Sequence, residues 1–137
     1  MTTKNMTFKM EKAKAFEDYF TDPRMSEMQL DFFAKVRLMV REILPDVEER
    51  VGYAMPGFYA KMAKNLKETL FFITPAENWV TLSGVQGINQ DLILPWKESG
   101  VKTVGTGSLR VPYILSDEQL RALFQVVINY NLERYLV

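Results

Sequence analysis

The stretch VGYAMPGFY, residues 51–59, begins with the alternation of a β-strand and then interrupts it. Tyr53 and Met55 would point to one side of an extended chain, and Pro56-Gly57 follows directly. Proline has no amide hydrogen and glycine tolerates unusual dihedral angles, so the pair predicts a bulge or kink within one interrupted strand over residues 50–61. Such a bulge would either curve the sheet over a helix or form the wall of a pocket.

Three more segments extend the strand pattern beyond this stretch. They are ETLFFIT at 68–74, WVTLSGV at 79–85 and SLRVPY at 108–113. Turn residues at 63–67, around Asn65, and at 74–78 separate the first of these from its neighbours, and residues 86–100 are ambiguous. The run LFFI is apolar on both faces, so we expect its strand to be central in the sheet.

Helix signals lie on both sides of the strands. Ser26 with Gln29, and Ser116 with Gln119, have the spacing of a capping box, and an amphipathic stripe follows each pair. Helices are therefore expected near residues 10–20, 23–44 and 117–134. Because each long helix has a single apolar stripe, we expect both to cover the same face of the sheet.

These elements predict an α+β fold, since helices and strands do not alternate strictly. We expect an antiparallel twisted sheet of about five strands, with the N-terminal and C-terminal helices packed on one face. The length fits one domain over residues 1–137, with residues 1–9 as a flexible N-terminal tail.

The composition excludes several classes of function. Seventeen basic and seventeen acidic side chains cancel, which argues against a nucleic-acid partner. The apolar runs are too short for a membrane span or a signal peptide, so the expected location is cytoplasmic. The chain contains no cysteine and no histidine, so a metal site would need oxygen ligands.

Two short blocks carry a resemblance to a known family. The first consists of Tyr53, Met55, Pro56 and Phe58, and the second of Gly107, Leu109, Arg110 and Pro112. With these blocks the chain resembles the YdhG-like family, a domain of unknown function, some members of which are described as frataxin-like intracellular iron chaperones. Ala54 and Val111 stand where that family usually has glycine and phenylalanine.

The resemblance implies iron as a candidate metal and an iron-accepting protein as a candidate partner. Carboxylates would have to hold the iron, because histidine and cysteine are missing. The better candidates follow the second helix, and a second group ends the first helix: Asp46, Glu48 and Glu49, then Glu17 and Asp18. The alternative interpretation of these acidic residues is a solvated surface.

A second set of residues indicates a pocket without metal. Its members are aromatic or apolar side chains near the Pro-Gly pair and one strand arginine: Tyr53, Met55, Pro56, Phe58, Trp79 and Arg110. Arg110 could bind a ligand carboxylate or phosphate, but the favoured interpretation is an ion pair with Glu48 or Glu49. The aromatic residues could equally fill the core or form a dimer surface.

The sequence has no recognisable catalytic constellation, since it offers no nucleophile–base pair of a known type. A small binding protein is therefore expected rather than an enzyme. The leading hypothesis is weak iron binding and delivery. The alternative is a module that binds a small ligand or another protein, as a monomer or homodimer.

Overall fold

The computed structural model describes residues 15–136, in which helices pack against an antiparallel sheet. The predicted tail at residues 1–9 lies outside the described residues. The helices are α1 (Phe16–Tyr19), α2 (Glu27–Ile43), α3 (Gln90–Ile93) and α4 (Asp117–Leu136). The strands are β1 (Glu48–Gly52), β2 (Met55–Tyr59), β3 (Phe71–Pro75), β4 (Trp79–Ser83), β5 (Lys102–Val104) and β6 (Ser108–Pro112). Leu66–Glu68 and Leu94–Ser99 form 3₁₀ turns.

Both predicted capping boxes form. The Ser26 hydroxyl accepts a hydrogen bond from the Gln29 amide at 3.1 Å, and the Gln29 side chain accepts one from the Ser26 amide at 2.8 Å. Ser116 and Gln119 make the same reciprocal pair at 3.0 and 3.1 Å. These bonds satisfy amides that the first helical turn leaves without partners. The start of α4 is therefore as predicted, whereas α2 begins after the Ser26 box and not at residue 23 of the expected range.

The strand order is β1-β2-β3-β4-β6-β5, and all neighbours are antiparallel. The predicted α+β class is confirmed, with six strands rather than about five. The additional strand is β5, which has three residues and pairs only with β6. A strand this short shows too few alternating positions to be recognised in the sequence.

Alternation along the central strands separates two faces of the sheet. Phe71 enters the hydrophobic core and stacks on Phe124 of α4, with ring centroids 5.4 Å apart. The core also includes Phe33 of α2, so both long helices lie on one face, as predicted. Phe72 points to the opposite face, here called the outer face. No described helix is both long enough and apolar enough to cross a membrane.

The prediction of one interrupted strand over residues 50–61 is wrong. Tyr53 and Ala54 form a two-residue turn between β1 and β2, with φ of 53° and 59°. Positive φ at both central residues defines a type I′ turn, which usually carries glycine or asparagine. Tyr-Ala gives no such signal. The predicted turn near Asn65 does lie between strands, in the β2–β3 connection.

Pro56-Gly57 lies inside β2, where Gly57 makes room for an aromatic ring. Gly57 pairs with Phe72 across the β2–β3 ladder, and a Cβ added at Gly57 would lie 2.8 Å from Cδ1 of Phe72. Real Cβ atoms essentially never come so close to another heavy atom. The glycine therefore allows the Phe72 ring to lie across β2 on the outer face.

Candidate ligand-binding site

A groove of about 610 Å³ opens beside the β1–β2 turn, and we call it the outer groove. The turn supplies one wall, Phe72 lies in its floor, and the end of α4 supplies the other wall. The side chains that matter most for its chemistry are Tyr53, Met55, Phe72, Lys67, Arg134 and Tyr135. The volume lies within the range of about 300–1,000 Å³ that is usual for small-molecule sites.

Tyr53 forms an exposed wall of the outer groove. Its side chain is 65% exposed, and its ring lies edge-on to Phe72 with centroids 5.8 Å apart. A bulky residue at φ 53° is strained, because the left-handed region brings its Cβ close to the backbone. The structure therefore holds an aromatic ring at the surface in a conformation that its own backbone disfavours.

The floor of the groove is apolar and fixed. Phe72 is 4% exposed, and Tyr59 packs edge-on against it at 6.2 Å. The Tyr59 hydroxyl donates a hydrogen bond to the Leu66 carbonyl at 2.6 Å. Burial raises the pKa of Tyr59 to about 12, so this phenol stays neutral near neutral pH.

The opposite wall is cationic. Arg134 donates hydrogen bonds of 2.6 Å to the Gln86 carbonyl and to the Tyr135 hydroxyl. Tyr135 in turn donates to the Lys67 carbonyl at 3.1 Å, which ties the end of α4 to the β2–β3 connection. Within residues 15–136, neither Arg134 nor Lys67 forms a salt bridge.

Among the described residues, Glu68 supplies the one carboxylate of the groove lining. Its Oε1 accepts hydrogen bonds from the backbone amides of Lys64 at 2.8 Å and Asn65 at 3.1 Å. These two amide bonds hold the pKa of Glu68 below its ordinary value, so the carboxylate is charged near neutral pH. Lys67 and Arg134 therefore outnumber the acidic groups of the lining.

Comparison with known proteins identifies a similar fold. No family model and no curated protein matches the sequence. The crystal structure of YdhG from Bacillus subtilis, a protein of the DUF1801 family, superimposes with a TM-score of 0.62. The fold is YdhG-like. The match covers 89% of this chain and 91% of YdhG at 10% sequence identity, so the predicted resemblance is confirmed at the level of the fold.

The YdhG-like fold brings only part of the predicted pocket together. Tyr53 and Met55 line the outer groove. Phe58 is fully buried in the core, where its ring contacts Phe16 and Phe71, and Pro56 is buried opposite Val51 of β1.

Trp79 and Arg110 do not line the outer groove. The Arg110 guanidinium lies 4.3 Å from the centroid of the Trp79 ring. The expected ion pair between Arg110 and Glu48 or Glu49 is not formed. Those carboxylates bind other arginines instead, Glu48 with Arg50 and Glu49 with Arg37 and Arg41.

The acidic residues predicted to bind iron do not converge on one site in the YdhG-like fold. Arg37 lies between Glu17 and Glu49, with hydrogen bonds of 2.5 and 3.1 Å to the first and 2.7 and 2.8 Å to the second. Hydrogen bonds from Arg37 lower the pKa of Glu17. Burial alone would raise the pKa of Glu49, but Arg37 and Arg41 outweigh it and lower this pKa as well.

The remaining acidic candidates lie apart. Asp18 accepts a hydrogen bond from the Ala15 amide at 3.0 Å at the start of α1, and Asp46 is exposed in the turn between α2 and β1. Glu48 is engaged by Arg50 at 2.6 Å. Over residues 15–136, no group of three or more acidic side chains is placed to hold a metal ion.

Sequence reasoning missed the cationic wall of the groove. Lys67 precedes β3, whereas Arg134 and Tyr135 belong to the last turns of α4. No local motif links these segments. The available signal was that Tyr130, Arg134 and Tyr135 give the end of α4 a polar, aromatic character, unlike the apolar stripe at its start.

Proposed function

We propose that the protein binds a small, flat organic molecule in the outer groove and acts as a binding protein rather than as an enzyme. The observation that carries this proposal is the Tyr53 side chain, which is 65% exposed and faces the groove beside Phe72. An exposed aromatic ring next to a buried one offers a planar ligand a stacking surface.

The strain at Tyr53 supports this interpretation. A turn with positive φ at both central residues is most stable with glycine or asparagine, yet residues 53 and 54 are tyrosine and alanine. Unfavourable backbone conformations are often found at ligand-binding sites, where the rest of the fold imposes them. A ligand stacked on Tyr53 would bury apolar surface that the free protein exposes.

Iron delivery has less support from the described residues. Glu17, Glu49 and Glu48 are engaged by arginines, and each would have to exchange an ion pair for a metal bond. Within residues 15–136 the outer groove offers one carboxylate, Glu68, whose Oε1 already accepts two amide hydrogen bonds. A hard cation prefers several oxygen ligands at once.

A titration with indole, a neutral and flat probe, tests the proposal. We expect indole to move the amide resonances of residues 53–55, 67–68, 72 and 83–86 in wild-type protein, in a saturable way. Tyr53→Asn should abolish these shifts without weakening the fold, because asparagine tolerates positive φ. Ile114→Asn is the matched control, since Ile114 is 89% exposed and does not line the groove.

The outcomes separate clearly. Shifts at the groove that persist in Ile114→Asn and disappear in Tyr53→Asn support the proposal. Shifts that are the same in Tyr53→Asn and in wild type contradict it, and so do shifts confined to other surfaces. An absence of saturable shifts with indole, with an aromatic carboxylate and with its amide contradicts the whole small-ligand hypothesis.

A further inference from the structure

We infer that the ligand of the outer groove carries an oxyanion, a carboxylate or a phosphate, next to its flat ring. This inference rests on the proposed function and adds the chemical class of the ligand. It is carried by Arg134, a cation held at the groove by neutral partners.

Arg134 is fixed in place without a described carboxylate partner. Its Nη1 donates to the Gln86 carbonyl and its Nη2 to the Tyr135 hydroxyl, each at 2.6 Å. Its guanidinium lies 4.7 Å from the Tyr135 ring and 5.8 Å from the Tyr130 ring. All of these partners are carbonyl, hydroxyl or aromatic groups and none is a carboxylate, so they orient the cation and leave its charge uncompensated.

The guanidinium also keeps donors for a ligand. Within the described residues, no acceptor bonds to the Nε–H of Arg134. A planar guanidinium with free N–H groups matches the paired oxygens of a carboxylate or phosphate. Because its orientation is already set, a bound anion would cost little further ordering of this side chain.

Lys67 adds a second positive charge to the same wall. Its carbonyl accepts the hydrogen bond from Tyr135, so its backbone is joined to the segment that carries Arg134. Lys67 lines the groove together with two aromatic residues, Tyr53 and Tyr135. Glu68 offsets one of the two cations, and the described lining residues together keep a net positive charge near neutral pH.

The placement of charge and ring sets the shape of the ligand. Tyr53 lies on the wall of the β1–β2 turn, whereas Arg134 lies on the wall of α4, with Phe72 in the floor. A ligand that uses both walls needs a flat ring for Tyr53 and, on the same molecule, an oxyanion for Arg134. Aromatic carboxylates and aryl phosphates have this form.

Two probes of the same shape test the charge requirement. 2-Naphthoate and 2-naphthamide share a ring system and differ in charge, and both can be titrated into the full chain while amide shifts are recorded. We expect the carboxylate to bind about tenfold more tightly than the amide, because one charge-assisted hydrogen bond contributes roughly that much affinity. Raising the salt concentration should weaken naphthoate alone. Benzoate against phenyl phosphate then distinguishes the two oxyanions.

Variants assign the effect to the cationic wall. In Arg134→Gln the ratio of the two affinities, naphthoate over naphthamide, should fall to about one, while naphthamide binds as tightly as it does to wild type. Arg121→Gln is the matched control, since Arg121 is an exposed arginine of α4 that does not line the groove. If the thermal midpoint shows that Arg134→Gln is unfolded, Lys67→Gln replaces it, with a smaller loss of the preference expected.

Each outcome bears on one proposal or on both. Equal affinity of wild type for the two probes overturns the oxyanion inference and leaves the small-ligand proposal intact. A preference that survives both Arg134→Gln and Lys67→Gln also overturns the inference. Failure of both naphthyl probes to shift the groove amides overturns the inference alone where indole still shifts them, and overturns the proposed function as well where indole also fails.

Discussion

The guanidinium of Arg110 lies over the indole ring of Trp79, 4.3 Å from the ring centroid. The two residues come from β6 and β4, which pair so that Arg110 faces Thr81. Among residues 15–136, no carboxylate forms a salt bridge with Arg110. Packing on an aromatic ring therefore holds this strand arginine, where an ion pair was expected.

Replacing Arg110 should consequently have a small effect on stability. Arg110→Met keeps an unbranched chain over Trp79 and removes a cation–π contact, which is worth about 0.5–1 kcal/mol at a partly exposed site. Arg37→Met should cost clearly more, because it leaves the mostly buried Glu49 carboxylate without its closest partner. Urea unfolding of the two variants measures both losses. Equal losses would contradict the weak aromatic contact assigned to Arg110.

Asn131 should be among the most sensitive polar residues of the described chain. It is fully buried, and its amide nitrogen donates to the carbonyls of Leu70 at 2.7 Å, Gly84 at 2.9 Å and Thr69 at 3.3 Å. Asn131→Asp replaces that donor with an oxygen that faces three carbonyl oxygens. We expect a loss of about 2–4 kcal/mol in the free energy of unfolding.

Asn129→Asp provides the control for this substitution. Asn129 is exposed on the same helix and accepts a hydrogen bond from Gln125, which an aspartate can also accept. Its unfolding free energy should change by less than about 0.5 kcal/mol. Similar midpoints for the two aspartate variants would refute the role assigned to the buried amide.

Ala54→Gly should stabilise the protein. Ala54 has φ of 59°, a conformation that glycine adopts without the steric penalty of a Cβ. Relief of this strain exceeds the entropy that glycine adds to the unfolded chain, so we expect a gain of about 0.5–1 kcal/mol. Ala122→Gly, at an exposed interior position of α4, should instead lose about 1 kcal/mol. Thermal unfolding shows whether each variant is more or less stable than wild type. A loss of stability in both variants would contradict the turn geometry.

The Arg37 ion pairs should make stability depend on pH in the acidic range. Glu17 and Glu49 have folded-state pKa values below their ordinary value of 4.5. As pH falls below 4.5, the unfolded chain binds protons at these groups before the folded chain does. The stability that the Arg37 ion pairs contribute is therefore fully present above the unfolded-state pKa and is lost as pH falls through the lower pKa values of the folded state.

Arg37→Gln should flatten that dependence. Without the guanidinium, the pKa values of both carboxyls move back toward or above their ordinary values, and the acid-induced loss of stability becomes smaller. Arg121→Gln is the comparison, because the contact from Arg121 to Glu42 is 3.7 Å long and exposed. Urea midpoints from pH 7 into the acidic range measure the slopes. A slope for Arg37→Gln as steep as that of wild type would place the acid sensitivity elsewhere.

Local patterns predicted the elements whose causes are themselves local. Ser26 with Gln29 marks the start of α2 because the two residues bond each other. The β1–β2 turn could not be predicted, since Tyr53 and Ala54 lack the side chains typical of positive φ. Strand pairing on both sides, from Gly52 with Met55 onward, imposes the turn instead.

The candidate site was only half predictable for a related reason. Tyr53 and Met55 were recognised because they stand beside a conspicuous Pro-Gly pair. Lys67 and Arg134 could not be predicted as site residues, because both are distant from that segment in the sequence. Only the fold brings them to the same groove. The partner of Arg110 is equally non-local, because the pairing of β4 with β6 brings the Trp79 ring to it.

The two walls of the outer groove differ in the length of chain that must close to build them. The β1–β2 turn needs two residues, whereas the Tyr135–Lys67 hydrogen bond joins positions 68 residues apart. A hairpin with so short a turn forms in about 1–10 μs. A contact between residues far apart in the sequence forms later, because the intervening strands must pair first. The last turns of α4 are also expected to open locally at a lower free energy than the sheet. A ligand in the groove would therefore slow amide hydrogen exchange more at the end of α4 than in the central strands.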